Sequence, residues 1–211
     1  ADDNAKAIQM FETSESFYAR LKGKEPLPEW LDTKIELSRA YLDNEEVRKA
    51  DSRINEALQL ALSLKDEESQ AYCFYVMGDI QLAEGKLDLA EKSMLESKRL
   101  YEKIDPGSKD VGQAYQQLAK LYKKRNLLVK EEECLLTHVA LSKKNFGATD
   151  SYATALRSLA SAYAASGQFI KAERAYLEAI SVYYAQNEAG MNYESTLEAL
   201  GHLYRRNDQY D

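Results

Sequence analysis

An all-α chain, built as a tandem array of antiparallel helix pairs, is predicted by three observations. One pattern of apolar, small and aromatic positions returns every 40 or 41 residues, a regularity that chance apolar spacing does not sustain over four intervals. Within each copy the spacings are helical, at i, i+3, i+4 and i+7. Breakers are sparse, with 3 Pro and 9 Gly in 211 residues, so helix is the default between turns.

The pattern is a large apolar residue with a small neighbour, an aromatic four on from the first, a small residue nine further, then apolar and small residues four and seven beyond. Leu159, Ala160, Tyr163, Ala172, Tyr176 and Ala179 show it most cleanly. Leu37, Ser38, Tyr41, Ala50, Ile54 and Ala57 repeat it, as do Met77, Gly78, Gln81, Ala90, Met94 and Ser97, with glutamine in place of the aromatic. Leu118, Ala119, Tyr122, Glu131, Leu135 and His138 are a degraded copy, and Leu200, Gly201 and Tyr204 open a fifth.

Taken in order, residues 1–30 hold a helix and a loop. Met10, Ser14, Phe17 and Leu21 share one helical face, which predicts the second helix of an earlier, partly missing repeat, or a cap. Residues 23–28 then form a proline-containing loop, and Trp30 anchors the start of the next helix. The array occupies 31–211, with units at 31–70, 71–111, 112–152 and 153–193 and a truncated unit at 194–211. In the fourth unit a first helix is expected over 153–166, a stop at Gly167 and a second helix over about 169–184; Gly85, Asn126 and Asp208 stand at the matching stops. Ala172 and Ala179 are small enough for two helices to approach within about 8–10 Å. Residues 146–151 connect this unit to the one before. Glu131 and His138 replace small residues in the third unit, so that pair is expected to pack less tightly. The last helix, about 193–206, lacks a partner after Tyr210, and the chain starts without Met; both suggest a piece of a longer or processed protein.

These positions resemble the tetratricopeptide repeat (TPR), whose signature includes an L-G-x-x-Y core and an A-x-x-x-F pair. The resemblance covers the chain from about Leu31 to Asp211. With units six or seven residues longer than the standard 34, it resembles the kinesin-light-chain-like branch, which also includes many bacterial regulatory and scaffold proteins. It implies a right-handed α-solenoid, a superhelix whose first helices line a concave groove that binds peptides or protein segments. The lysine and asparagine network that clamps a C-terminal carboxylate in chaperone-tail-binding repeats is absent, with Glu36, Val76 and Ser158 in the corresponding slots. The asparagine ladder of kinesin light chains is absent too.

Composition narrows the function. The formal charge of −7 argues against general nucleic-acid binding, which draws most of its affinity from phosphate neutralisation. The acidity is uneven: residues 1–105 carry 15 basic and 23 acidic side chains, against 13 and 12 in 106–211. No stretch approaches the roughly 20 apolar residues of a membrane span, and the start Ala1-Asp2-Asp3-Asn4 is not a signal peptide. A cytoplasmic location is expected, with an exported or periplasmic one as the alternative if an upstream signal has been removed. Cys73 and Cys134 are expected to be free, buried thiols acting as small hydrophobes.

No catalytic, cofactor or metal motif is present: there is no Gly-rich phosphate loop, no H-E-x-x-H, no G-x-S-x-G and no C-x-x-C. His138 and His202 have no ligand partners near them in sequence. The run Glu131-Glu132-Glu133 reads as a solvated first turn, since consecutive helical residues point about 100° apart and cannot converge on one ion.

Binding is therefore expected in the groove. Facing it should be Asp32, Ile35 and Arg39, then Tyr72, Tyr75 and Asp79, then Gln113, Gln116, Gln117, Lys120 and Lys124, then Arg157, Ser158 and Ser161, and finally Glu198, His202, Arg205 and Arg206. Lys120, Lys123, Lys124 and Arg125 put four positive charges in six residues, and with Arg157 and Arg205 form a basic strip suited to an acidic segment. Tyr72 and Tyr75 add aromatic contact area. The expected function is a non-enzymatic scaffold that holds a protein or peptide segment. The alternatives are the sensor or regulatory portion of a larger enzyme or transcription regulator, and self-assembly, as a homodimer through the solenoid ends.

Overall fold

The computed structural model describes residues 2–20, 28–186 and 190–207, and among them all regular structure is α-helical. Leu21, the loop over 23–27, Asp208 and Tyr210 lie outside the described residues. Two compact units result, Ala1–Ile104 and Asp105–Asp211.

The first unit holds α1 (Asp2–Arg20), α2 (Pro28–Asp43), α3 (Val47–Leu64), α4 (Glu67–Ala83) and α5 (Leu87–Ile104). The second holds α6 (Lys109–Lys124), α7 (Leu128–Phe146), α8 (Asp150–Ala165), α9 (Phe169–Ala185) and α10 (Met191–Asn207). Helices pair as α2 with α3, α4 with α5, α6 with α7 and α8 with α9. Each first helix begins three or four residues ahead of the unit boundary read from the sequence. Each helix starts at its cap, ahead of its core residues: Asp66 accepts from the Ser69 amide and Ser108 Oγ from the Val111 amide. The connection expected over 146–151 is shorter, because α7 runs through Phe146 and α8 starts at Asp150.

The four turns inside the pairs share one construction. Glu45, Gly85, Asn126 and Gly167 have left-handed φ of 61°, 76°, 57° and 75°. The next residue's amide, of Glu46, Lys86, Leu127 and Gln168, donates back to the carbonyl of Tyr41, Gln81, Tyr122 and Tyr163 at 2.8–2.9 Å. Glu45, Gly85, Asn126 and Gly167 donate to Leu42, Leu82, Lys123 and Ala164. This is the Schellman closure, in which otherwise orphaned helix-end carbonyls are satisfied.

Packing follows the repeating pattern. Leu37, Ser38, Ala50, Ile54 and Ala57 are fully buried in the first pair, and Ala160, Ala172 and Ala179 in the fourth. At the small positions the Ser38 hydroxyl reaches across to the Ala50 carbonyl at 2.8 Å, satisfying a polar group that would otherwise be costly to bury. Each large apolar side chain removed from water in these cores is worth roughly 1.5–3 kcal/mol before chain entropy is counted. Cys73 and Cys134 are free and buried, and burial pushes the Cys73 thiol up to about 12, which makes it an inert packing group.

The face expected of the N-terminal helix is corrected. Met10 and Phe17 are 63% and 61% exposed, and α1 instead turns Ile8, Phe11, Glu12 and Glu15 toward α2 and α3. Polar contacts decide the rotation. Lys34, almost wholly buried on α2, donates to Glu15 at 2.7 Å and to Glu56 at 2.6 Å, while Arg53 reaches Glu56 at 3.0 Å. Trp30 sits half-buried at the start of α2, with the Lys34 ammonium 5.1 Å from its ring centre.

Candidate functional site

In the first unit, three of the expected binding residues meet. Arg39 on α2 donates to Tyr72 Oη at 2.7 Å and lies 5.8 Å from that ring's centre. Tyr72 and Tyr75, on α4, stack with centroids 6.1 Å apart at 24°. Burial raises both tyrosines, with Tyr75 pushed up to about 12. The cluster offers a half-buried aromatic surface with a cation over one ring. Ile35, expected to face a ligand, is instead in the core.

In the second unit, α6 and α8 bring a further group together. A cleft of about 330 Å³ is lined by Gln116, Lys120 and Lys123 from α6, Arg157, Ser158 and Ser161 from α8, Glu131 and Leu135 from α7, and by Tyr176 and Ser195 among others. Lys120 and Lys123 are exposed and carry their charges at its rim. Arg157 Nη1 donates to Ser195 Oγ at 2.8 Å, which fixes a half-buried guanidinium toward α10. A second cleft, of about 230 Å³, has Lys109, Gln113, Gln116, His138, Ser142 and Asp150 in its wall. Gln116 is common to both.

Other expected residues fall elsewhere. Gln117 is 1% exposed, and so presents no surface to a ligand. His202 and Arg205 on α10 pair with each other, Arg205 Nη2 lying 3.1 Å from His202 Nδ1, and do not line either cleft. Lys124 is exposed but also stands outside both linings.

Glu131 is the residue that sequence reasoning misplaced. Its side chain is not solvated: the residue is 3% exposed and forms part of the first cleft's wall. Burial raises its carboxyl above the ordinary 4.5, with the Lys123 charge pulling the other way. His138 is its counterpart at the second cleft, 8% exposed and held below its ordinary 6.5 by burial, with Lys120 adding to the effect and a Gly112 backbone contact opposing it. The signal for both was visible in the repeat itself, since they occupy slots that the other copies fill with Ala or Ser. Among the described residues, no group of three His, Cys, Asp or Glu side chains is placed to hold a metal. No described helix is long and apolar enough to cross a membrane.

This architecture is a TPR-like helical repeat, and solved structures share it. BtubC (BKLC) from P. vanneervenii superposes with a TM-score of 0.84 at 17% identity, over 96% of this chain and 83% of that one. A kinesin-light-chain-like protein of Podosopora anserina with nearly identical TPR-like repeats gives 0.69 at 19% identity, over 89% of this chain and 90% of that one. A signal transduction ATPase with numerous domains from Pyrococcus horikoshii, which carries a TPR sensor, gives 0.74 at 15% identity, over 93% of this chain but 28% of that one. No protein-family model and no curated protein matches the sequence. At these identities the likeness extends to the fold.

Proposed function

We propose that this chain is a non-enzymatic protein-interaction scaffold whose second unit receives an acidic segment of a partner protein. The observation that carries this reading is the first cleft, where Lys120, Lys123 and Arg157 surround a space of about 330 Å³ also lined by Gln116, Ser158 and Ser161. Three cations and several hydroxyl or amide donors on one concave wall suit carboxylates. The Arg39, Tyr72 and Tyr75 cluster offers a separate aromatic contact in the first unit. The test is a fluorescence-anisotropy titration of labelled hexaglutamate. Saturable binding by the parent, lost in Lys120→Glu/Lys123→Glu with folding unchanged, supports the reading; equal binding by both sinks it.

A second reading rests on one comparison, the structure whose TPR array is a sensor attached to an ATPase. In this reading the chain is the sensing portion of a larger regulator, and the cleft is where the sensed segment docks. A full-length gene encoding a catalytic or DNA-binding domain beside these repeats would favour it.

A further inference from the structure

Copies one, two and four of the repeat place alanine where the second helix passes its partner: Ala50, Ala90 and Ala172, each fully buried. The third copy places Glu131 there, equally withdrawn from water, in the wall of the cleft that Lys120, Lys123 and Arg157 share. An alanine would fill this slot at no electrostatic cost, whereas a carboxylate is costly to bury unless it has a task or a partner. Its neighbours in the cleft are cations from α6 and α8 and hydroxyls from α8, α9 and α10.

We propose that Glu131 is the specificity residue of the cleft, admitting a singly charged carboxylate of an acidic segment and disfavouring a phosphorylated side chain. This deepens the reading above and rests on it. A ligand carboxylate entering among Lys120, Lys123 and Arg157 meets Glu131 as one negative charge against another, a repulsion that the three cations offset. A phosphate monoester brings nearly two negative charges at neutral pH. Glu131 repels each of those charges, and the repulsion in a partly buried cleft is poorly screened. A repulsive element of this kind is how a basic site rejects the more highly charged of two anions.

The experiment compares fluorescein-labelled hexaglutamate with the same peptide carrying one phosphoserine in place of glutamate, at neutral pH and low salt. Glu131→Gln should shift the ratio of the two affinities toward the phosphopeptide by about tenfold relative to the parent, and Glu131→Ala, which restores the residue of the other copies, should do the same. Circular dichroism confirms that each variant is folded, and Glu131→Ala carries the test if Glu131→Gln is not. An unchanged ratio in a folded variant, with both peptides still dependent on Lys120 and Lys123, overturns the specificity role while leaving the acidic-segment reading intact. Failure of both peptides to bind the parent overturns the reading and the inference together.

Discussion

Lys34 shows how much one side chain can organise. With 8% of its side chain exposed it answers Glu15 and Glu56 on two other helices. Replacing Lys34 with Met should lower stability by about 2–3 kcal/mol in urea denaturation, at the low end for a broken buried pair because Arg53 still reaches Glu15 at 3.4 Å. The double change Lys34→Met/Glu15→Met should recover most of that loss, since it leaves no buried charge. Glu131 makes a different prediction. Its folded carboxyl is raised, so the folded state binds the proton more tightly than the unfolded one. The stabilisation this linkage provides is fully present below the ordinary value of 4.5 and is lost as pH rises through that value and then through the folded one. Subtracting the pH profile of Glu131→Gln from that of the parent should expose this decline, and a flat difference would mean the carboxyl titrates normally. His138 has the opposite sign: its lowered value places its contribution above 6.5, to be lost as pH falls.

At the scale of the element, the Schellman turns are the recurring unit. Gly85 and Gly167 take the left-handed position freely, and Asn126 tolerates it, but Glu45 does so at a steric cost. Glu45→Gly should therefore stabilise by about 0.5–1 kcal/mol. Gly167→Ala should cost about 1 kcal/mol; nothing lies within 4 Å of the added carbon, so the change would measure backbone strain alone. Paired urea titrations would check both. The stops at Gly85, Asn126 and Gly167 were legible because Gly and Asn announce a left-handed residue, while Glu45 sends no such signal and is revealed only by the structure. The face of α1 was not legible for a related reason. Met10 and Phe17 are the more apolar choice, yet α2 and α3 present the buried Lys34 and Tyr41 and the partly exposed Arg53, which pair with Glu15 and Glu12 of α1.

At the scale of the molecule, an acidic chain keeps a local cluster of cations in its less acidic half. Hexaglutamate affinity should fall several-fold as salt rises from about 0.05 M to 0.3 M, because rim charges such as Lys120 and Lys123 are screened over less than about 10 Å. Binding that ignores salt would point to an apolar contact instead. The repeat, the helix pairing, the turn positions and the buried small residues were all determined by the sequence, because helical periodicity and local turn chemistry act over a few residues and recur with each copy. Which polar side chains leave water was decided by tertiary structure, although the Ala and Ser that the other copies hold in the slots of Glu131 and His138 marked those two positions. Gln117, Glu131, His138 and Lys34 are polar by composition, and each is buried because of what neighbouring helices bring to it. The gathering of Lys120, Lys123 and Arg157 around one cleft was foreseen as a strip, but the carboxylate at its wall was not, since burial is a property of the packed neighbours and not of the run of three glutamates in which it sits.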